Sequence, residues 1–326
     1  MTLTELRYIV AVARKKHFGR AAQACFVSQP SLSNAVRRLE DELGVQLFER
    51  GGGTVSVTPV GEDIVRQAQS VLEQADMIKG LARRGRDPLG GPLRLGVIYT
   101  VAPYLLPELV RCNIRISPQM PLVPQENFTV NLLEMLRNGD LDALILAEPF
   151  PDAGLDVLPL YDESFVAAVP INHRLARRKS VSSADLRDES LLLLSSGHCF
   201  RSHVLQVCPE FAAVDGSRSA RNDRRRSFEG SSLETIVQMV AAGLGVTLVP
   251  RLAVPSVEPP DPLVKYLPVV DDDAPPPTRR IVLTWRKSFT RRQAVTALYR
   301  AVEHCRLPGV TKIKSKEIDE VKQSPA

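Results

Sequence analysis

The chain lacks the sequence features of membrane proteins and of exported proteins. It has no run of about 20 apolar residues, the length that a membrane-spanning helix needs. The best candidate, residues 236–254, is interrupted by Gln238, by two glycines and by Pro250. The first residues carry no basic-then-apolar signal sequence, since Glu5 and Arg7 interrupt the apolar pattern. We therefore expect no membrane partner and a cytoplasmic location.

Cysteine is scarce, with five residues in 326. In the cytoplasm such cysteines are thiols far more often than structural disulfides. Cys25, Cys112 and Cys305 are isolated in the sequence, and we expect them to be small core residues. Cys199 and Cys208 instead share the stretch SSGHCFRSHVLQVC with two of the five histidines. This clustering calls for a chemical explanation.

The excess of positive charge is small, at +5 with a pI of about 9.0. It favours nucleic acid over acidic partners, but only mildly. The length predicts two or three domains rather than one.

The first 60 residues have the pattern of a DNA-binding unit. Thr2 and Glu5 have the spacing of a capping box before an amphipathic helix over residues 3–14. A short helix follows in GRAAQACF. A third helix begins after Ser28 and ends at Gly44. The order of helix, tight turn and helix predicts a helix-turn-helix.

One face of the third helix is apolar and the opposite face is polar, with groups that can bind base edges and phosphates. The next stretch, VQLFERGGGTVSVTP, predicts a hairpin, or wing. We therefore predict a winged helix-turn-helix over residues 1–58 that binds double-stranded DNA. A small helical bundle with a solvated polar face remains the alternative. The candidate DNA-binding residues are Gln29, Pro30, Ser31, Ser33, Asn34, Arg37, Arg38 and Arg50.

Residues 59–87 predict a long linker helix. Thr58 can cap it, and Pro59 stands at its first position. Its apolar residues recur at alternating spacings of four and three, which is a heptad pattern and favours a homodimer. Packing on its own chain is the alternative. The seam consists of Ile64, Ala68, Val71, Ala75, Ile78 and Ala82.

Strand and helix patterns alternate over residues 88–303 and predict parallel α/β sheets in two lobes. The lobes are expected at about 88–164 with 269–303, and at 165–268. Polar residues follow strands and precede helices at Thr100, Thr129, the 197–199 turn and Ser231. Such junctions line ligand clefts, although a simple helix cap explains each one taken alone. We expect residues 304–326 to be a disordered tail.

Three interpretations fit the cysteine stretch. His198, Cys199, His203 and Cys208 are plausible zinc ligands. The cysteines could instead fill a core. The third interpretation is redox chemistry, because a thiolate is stabilised where a helix begins and Arg201 adds positive charge.

The chain resembles the LysR family of bacterial transcription regulators. The resemblance rests on HFGRAAQACFVSQPSLSNAVRRLEDELGVQLFER followed by TPVG, and it covers residues 1–300. Within the family the chain looks like the OxyR-type peroxide sensors. That likeness rests on GPLRLGVIYTVAPYLLPELV, LLLLSSGHCFRSHVLQVC and SSLETIVQMVAAGLGVTLVP.

The resemblance implies an α+β winged helix-turn-helix domain and a two-lobed α/β regulatory domain like a periplasmic binding protein. It implies a peroxidatic Cys199, a resolving Cys208, and a pocket for hydrogen peroxide formed by Thr100, Thr129 and His198. It further implies RNA polymerase as a partner, a homotetramer, and neither metal nor cofactor. Two alternatives are a regulator of the same family switched by a metabolite and a thiol peroxidase. The segment PEFAAVDGSRSARNDRRRS after Cys208 is longer and more basic than the family pattern.

Overall fold

The computed structural model describes residues 1–51, 54–83, 89–209, 211, 229–255, 262–271 and 275–313. The basic segment after Cys208 lies almost wholly outside these ranges. Within them, no helix is both long enough and apolar enough to cross a membrane.

The N-terminal domain is a winged helix-turn-helix, as predicted. Its helices are α1 (Leu3–Lys15), α2 (Phe18–Ala24) and α3 (Gln29–Leu43). The Thr2–Glu5 capping box is present, Ser28 caps α3, and Gly44 ends it in the left-handed conformation. The antiparallel strands β1 (Phe48–Gly51) and β2 (Thr54–Val57) form the wing.

The linker helix α4 is described over Pro59–Arg83. Thr58 caps it, accepting a hydrogen bond of 3.0 Å from the Gly61 N–H. Three of its seam residues, Ile64, Ala68 and Val71, pack into the core of the winged helix. Further along the same helix, Ile78 is 68% exposed. The alternative of packing on the same chain therefore holds for the first half of the seam.

The regulatory domain follows with strands and helices in near alternation. Its helices are α5 (Ala102–Ile116), α6 (Thr129–Arg137), α7 (Ser183–Leu186), α8 (Cys199–Val207), α9 (Leu233–Ala241) and α10 (Arg292–His304). Its strands are β3 (Leu93–Ile98), β4 (Leu122–Asn127), β5 (Ala143–Ala147), β6 (Leu155–Pro170), β7 (Leu193–Leu194), β8 (Glu229–Gly230), β9 (Thr247–Pro250), β10 (Val264–Pro268), β11 (Thr278–Arg286) and β12 (Val310–Lys312).

The sheets are mixed, which corrects the prediction of parallel sheets. Strand β3 pairs in parallel with β4 and β5, and β7 pairs in parallel with β8. Strand β11 enters antiparallel between β5 and β6, and β9 and β10 pair antiparallel with β6. A parallel strand pair needs a crossover connection, usually a helix, whereas an antiparallel pair does not. The local alternation of strand and helix therefore does not reveal that β11, from far along the chain, pairs antiparallel with β5 and β6.

Two hydrophobic cores define the two lobes. Buried residues from 93–161 and 281–307 form the first core, and buried residues from 165–269 form the second. Strand β6 belongs to both lobes, since it pairs with β11 in its first half and with β9 and β10 in its second.

The predicted disordered tail is wrong for its first residues. Helix α10 extends to His304, and β12 pairs antiparallel with β6. The Lys312 ammonium donates to the carbonyl of Cys305 at 2.7 Å, which fixes this return of the chain. Residues 314–326 lie outside the described residues.

Candidate functional site

The recognition face of α3 is exposed, as the sequence analysis requires of a DNA-contacting helix. Ser33 is half-buried, and Arg38 lies 3.8 Å from the carboxylate of Glu5. Arg50 lies in the wing strand β1, but its side chain is outside the described residues. The exposed candidates on α3 are Gln29, Pro30, Ser31, Asn34, Arg37 and Arg38.

Helix α8 begins at Cys199, so this side chain lies at the positively polarised N-terminal end of the helix. His198 is its N-cap residue, with extended backbone and no side-chain cap. Gly197 precedes it at φ +104, and a Cβ at this position would lie 3.3 Å from the Phe128 ring. Glycine therefore permits both the left-handed turn and the close approach of Phe128.

An aromatic cluster surrounds His198. The His198 ring centroid lies 4.8 Å from that of Phe128 and 5.9 Å from that of Tyr99, and the two aromatic rings are 5.2 Å apart. Phe128 and Tyr99 are the chain neighbours of Thr129 and Thr100. The junctions at Thr100, Thr129 and His198 were predicted to form one pocket, and they come together through the contacts of Tyr99 and Phe128 with His198. The sequence pattern did not single out these two aromatic residues.

His198 is held as a neutral ring. Its Nε2–H donates to the carbonyl of Ser231 at 3.0 Å. Burial lowers its pKa, and the hydrogen bond only partly offsets this effect. The predicted cap at Ser231 is wrong, because the hydroxyl of Ser232 caps α9, accepting from the Thr235 N–H at 3.1 Å. The Ser231 carbonyl instead orients His198.

Thr129 and Thr100 occupy different environments. Thr129 is the first residue of α6 and makes no cap bond, and its buried hydroxyl oxygen has no hydrogen-bond partner. A buried polar atom of this kind is suited to a small polar ligand. The Thr100 hydroxyl accepts a 2.8 Å hydrogen bond from Arg279 Nη1. Neither threonine acts as a helix cap.

Arg279 is a residue that the sequence analysis missed. Its guanidinium pairs with Glu163 at 2.9 Å, and both side chains are wholly buried. It also donates to the Thr100 carbonyl at 2.9 Å and lies 5.0 Å above the Phe200 ring. Arg279 therefore connects β11 and β6 to the first turn of α8.

The two cysteines of α8 belong to different cores. Cys199 is half-buried and packs against the first lobe, although its helix belongs to the second. Cys208 follows the last residue of α8 and is fully buried in the second core. Nine helical steps of about 1.5 Å separate their α-carbons by roughly 13.5 Å. A disulfide needs them within about 7 Å, so both are thiols in this conformation.

Arg201 and His203, two other residues of the cysteine-containing stretch, have hydrogen-bond partners of their own. Arg201 forms a 2.8 Å ion pair with Glu229 and donates to the Leu194 carbonyl. Both partners belong to the second lobe, so the positive charge of Arg201 is paired there. His203 Nε2–H donates to the Glu148 carbonyl at 2.8 Å. Burial lowers the pKa of His203. In the part of the chain that the structure describes, no group of three or more potential ligands could hold a metal ion.

Two family profiles together match most of the chain. Residues 3–62 match the profile of the bacterial regulatory helix-turn-helix protein, lysR family. Residues 86–306 match the LysR substrate binding domain.

Individual relatives are similar over nearly the whole length. The chain is 39% identical over 302 residues to the DNA-binding transcriptional dual regulator OxyR of Escherichia coli, covering 93% of this chain and 95% of that relative. It is 42% identical over 290 residues to a probable hydrogen peroxide-inducible genes activator of Mycobacterium avium, covering 89% of each.

Among solved structures, a full-length OxyR variant from Pseudomonas aeruginosa is 47% identical with a TM-score of 0.74, covering 94% of this chain and 99% of that one. The oxidized form of Corynebacterium glutamicum OxyR is 36% identical with a TM-score of 0.52, covering 93% of each.

Proposed function

Because the chain belongs to the LysR family of bacterial transcription regulators, we propose that hydrogen peroxide switches it through the Cys199 and Cys208 thiols. The chain is a DNA-binding regulator of the OxyR kind, not an enzyme. The relatives named above are OxyR proteins or activators of peroxide-inducible genes. From the similarity to these relatives we infer that the chain controls genes of the oxidative-stress response.

The position of Cys199 carries the proposal. It is the first residue of α8, beside the neutral ring of His198, and it packs against the lobe opposite its own. The unpartnered hydroxyl of Thr129 and the Arg279-bound hydroxyl of Thr100 are proposed to position the peroxide. Attack of the Cys199 sulfur on the peroxide breaks the O–O bond, and the thiol proton goes to the leaving oxygen, so that a sulfenic acid and one water are formed.

The second step needs a change of structure. Cys208 lies about 13.5 Å away along the helix axis, beyond reach of a sulfenic acid at Cys199. Condensation of the Cys208 thiol with that sulfenic acid, which releases a second water, therefore requires α8 to unwind. Unwinding takes Cys208 out of the second core and Cys199 away from the first. A chemical event at one thiol thus alters both lobes.

The proposed assembly follows from the way a helix-turn-helix binds a two-fold DNA site. Two recognition helices must be held one turn of DNA apart, which a homodimer through α4 achieves. By family likeness we further propose a homotetramer and RNA polymerase as a partner.

Mass spectrometry of the thiols after one equivalent of peroxide, run beside a DNA footprint, tests the proposal. We expect a Cys199–Cys208 disulfide, new protease sensitivity across residues 196–226 and a changed footprint. Cys199→Ser should abolish all three, whereas Cys208→Ser should stop at the sulfenic acid. Cys25→Ser is the matched control and should respond like the wild type. A footprint that changes in Cys199→Ser contradicts the proposal.

Peroxide consumption separates a regulator from a thiol peroxidase. Without a reductant, a regulator consumes about one equivalent per chain. Sustained turnover on the order of 10 per second would instead indicate an enzyme.

A further inference from the structure

A cavity of about 380 Å³ lies where segments of the two lobes meet. On one side of it, Gly309 comes directly before β12 and Pro276 comes shortly before β11. On the other side, Val254 and Tyr266 pack against the second core. Among the described residues, the lining includes none of those proposed for the peroxide site. The cavity is therefore separate from the site at Cys199.

Most of the lining of this cavity is apolar. The apolar side chains come mainly from the second half of β6 and from β10 and the residues after it, and they include Phe165, Val166, Pro268, Val269 and Val270. Proteins bind small molecules in cavities of about 300–1,000 Å³ that have such a lining. At roughly 30 Å³ for each non-hydrogen atom, the volume of one water in the liquid, the cavity holds about a dozen such atoms. Its size and lining fit a small, partly apolar molecule.

Arg251 is the one charged side chain in the described lining. Within the described residues, its guanidinium has neither a hydrogen-bond partner nor an ion-pair partner. Its backbone is held in a single 3-10 turn, and the N–H of the next residue, Leu252, donates to the Glu163 carboxylate at 2.8 Å. Gly309 stands at φ +77, and a Cβ there would lie 2.7 Å from Arg251 Cγ. Glycine thus leaves the room that the Arg251 side chain occupies beside the cavity.

We propose that this cavity binds a small amphipathic carboxylate, with the carboxylate on Arg251 and the apolar body against Phe165 and the valines. A guanidinium that lacks a counter-charge selects an anion, and its fork of N–H donors matches the two oxygens of a carboxylate. The described lining contains no carboxylate of its own to compete for Arg251. Ser164 adds a hydroxyl that can donate to the same anion.

A ligand in this cavity contacts segments of both lobes at once. It binds the folded chain and not the unfolded one, so it stabilises the regulatory domain in proportion to its occupancy. The regulator would then have an input for a carboxylate besides its thiols. The proposal goes beyond the proposed function and does not depend on it, because no step involves Cys199 or Cys208.

Calorimetric titration of the full chain, kept reduced, with 4-phenylbutyrate and with octanoate tests the proposal. Both probes carry a carboxylate on an apolar body of about a dozen non-hydrogen atoms or fewer, and we expect a Kd below about 1 mM. Tm should rise with the concentration of either probe. The control is 4-phenylbutanamide, which has the same shape without the charge and should bind at least about tenfold more weakly. If neither carboxylate binds at about 5 mM, or if the amide binds equally well, the proposal is overturned.

Substitution of Arg251 tests the charge. Arg251→Gln should weaken binding of 4-phenylbutyrate about tenfold, because the bidentate pair is lost. Lys265→Gln removes an exposed cation of β10 that does not line the cavity, and it should leave the Kd unchanged. Equal Kd values in these two variants would overturn the role of Arg251.

Filling the cavity tests the location. Val270 is 44% exposed, so Val270→Trp can fold and place its ring in the cavity, and it should abolish binding. Leu263→Trp is the matched control, since Leu263 is 53% exposed and does not line the cavity. Circular dichroism and Tm without ligand check that both variants fold. Binding that persists in Val270→Trp, or that is lost equally in Leu263→Trp, would overturn the proposed site.

Discussion

Arg286 and Glu73 form an ion pair that joins the regulatory domain to the linker helix, with Arg286 Nε 2.9 Å from Glu73 Oε1. The same guanidinium donates to the carbonyl oxygens of Leu136 and Leu141. The Ser288 hydroxyl donates to the other oxygen of Glu73 at 2.9 Å. The two charged side chains are only 10% and 16% exposed, so removing one leaves the other buried without its counter-charge. A second ion pair, Arg14 with Asp140, joins α1 to the same lobe.

Glu73→Gln should weaken the coupling between the sensor and the DNA-binding domain. We expect a loss of about 1–3 kcal/mol of stability, because the largely buried Arg286 loses its carboxylate partner. Peroxide should still oxidise Cys199 at the wild-type rate, but the change in DNA footprint should be smaller. Asp63→Asn breaks an exposed ion pair with Arg66 on the same helix and is the control. A wild-type footprint change in Glu73→Gln would show that this ion pair does not couple the domains.

Substitutions at Val71 and Ile78 test separately whether α4 stabilises the winged helix and whether it holds a dimer together. Val71 packs into the core of the winged helix, so Val71→Asp should lower its Tm. Ile78 is 68% exposed, so Ile78→Asp should leave Tm unchanged and weaken the dimer by placing a charge in its seam. Gln74→Asp, at an exposed position of the same helix, is the control. Sedimentation that finds the wild-type mass for Ile78→Asp at all concentrations would refute a dimer through α4.

Arg37 and Asn34 should contribute differently to DNA binding. Arg37→Ala should weaken binding to all sequences and reduce the slope of log affinity against log salt by about one. Asn34→Ala should instead reduce discrimination among operator variants, by about 1–3 kcal/mol for a lost base contact. Arg178→Ala, on the surface of the second lobe, should change neither quantity. Titration of labelled duplexes across a salt series measures both.

His203 should make stability depend on pH. Burial holds its folded-state pKa below the ordinary 6.5, so the unfolded chain binds more protons as the pH falls below that value. The stability from the neutral ring is complete above pH 6.5 and is lost as the pH falls toward the folded-state pKa. His203→Gln should reduce this loss, and His304→Gln, at an exposed position, should not. Denaturant titrations of the three proteins between pH 5 and pH 8, a range spanning the ordinary pKa of histidine, provide the measurement.

The parts of the fold that depend on local signals were predictable from the sequence. The caps at Thr2 and Ser28, the glycine that ends α3 and the helix beginning at Cys199 all depend on residues within a few positions of each other.

Long-range pairings were not predictable. Strand β4 is mostly exposed, so it carries no apolar pattern, and β11 pairs with strands more than 100 residues earlier. Arg279 belongs to a run of two arginines that suggests a solvated surface. Its burial depends on Glu163, which is 116 residues away. A single sequence does not show that a charge will meet its counter-charge at such a separation.

The continuity of β6 through both lobes determines how the regulatory domain should unfold. The domain has two cores, but Tyr161 and Glu163 pair with β11 and β12 in one sheet, whereas residues 165–170 pair with β9 and β10 in the other. If either set of pairings is lost, β6 loses backbone hydrogen bonds, and the other set of pairings depends on the same strand. The two lobes should melt in one cooperative transition, with equal calorimetric and van't Hoff enthalpies for residues 89–313. Each lobe is in this sense half of a single folding unit.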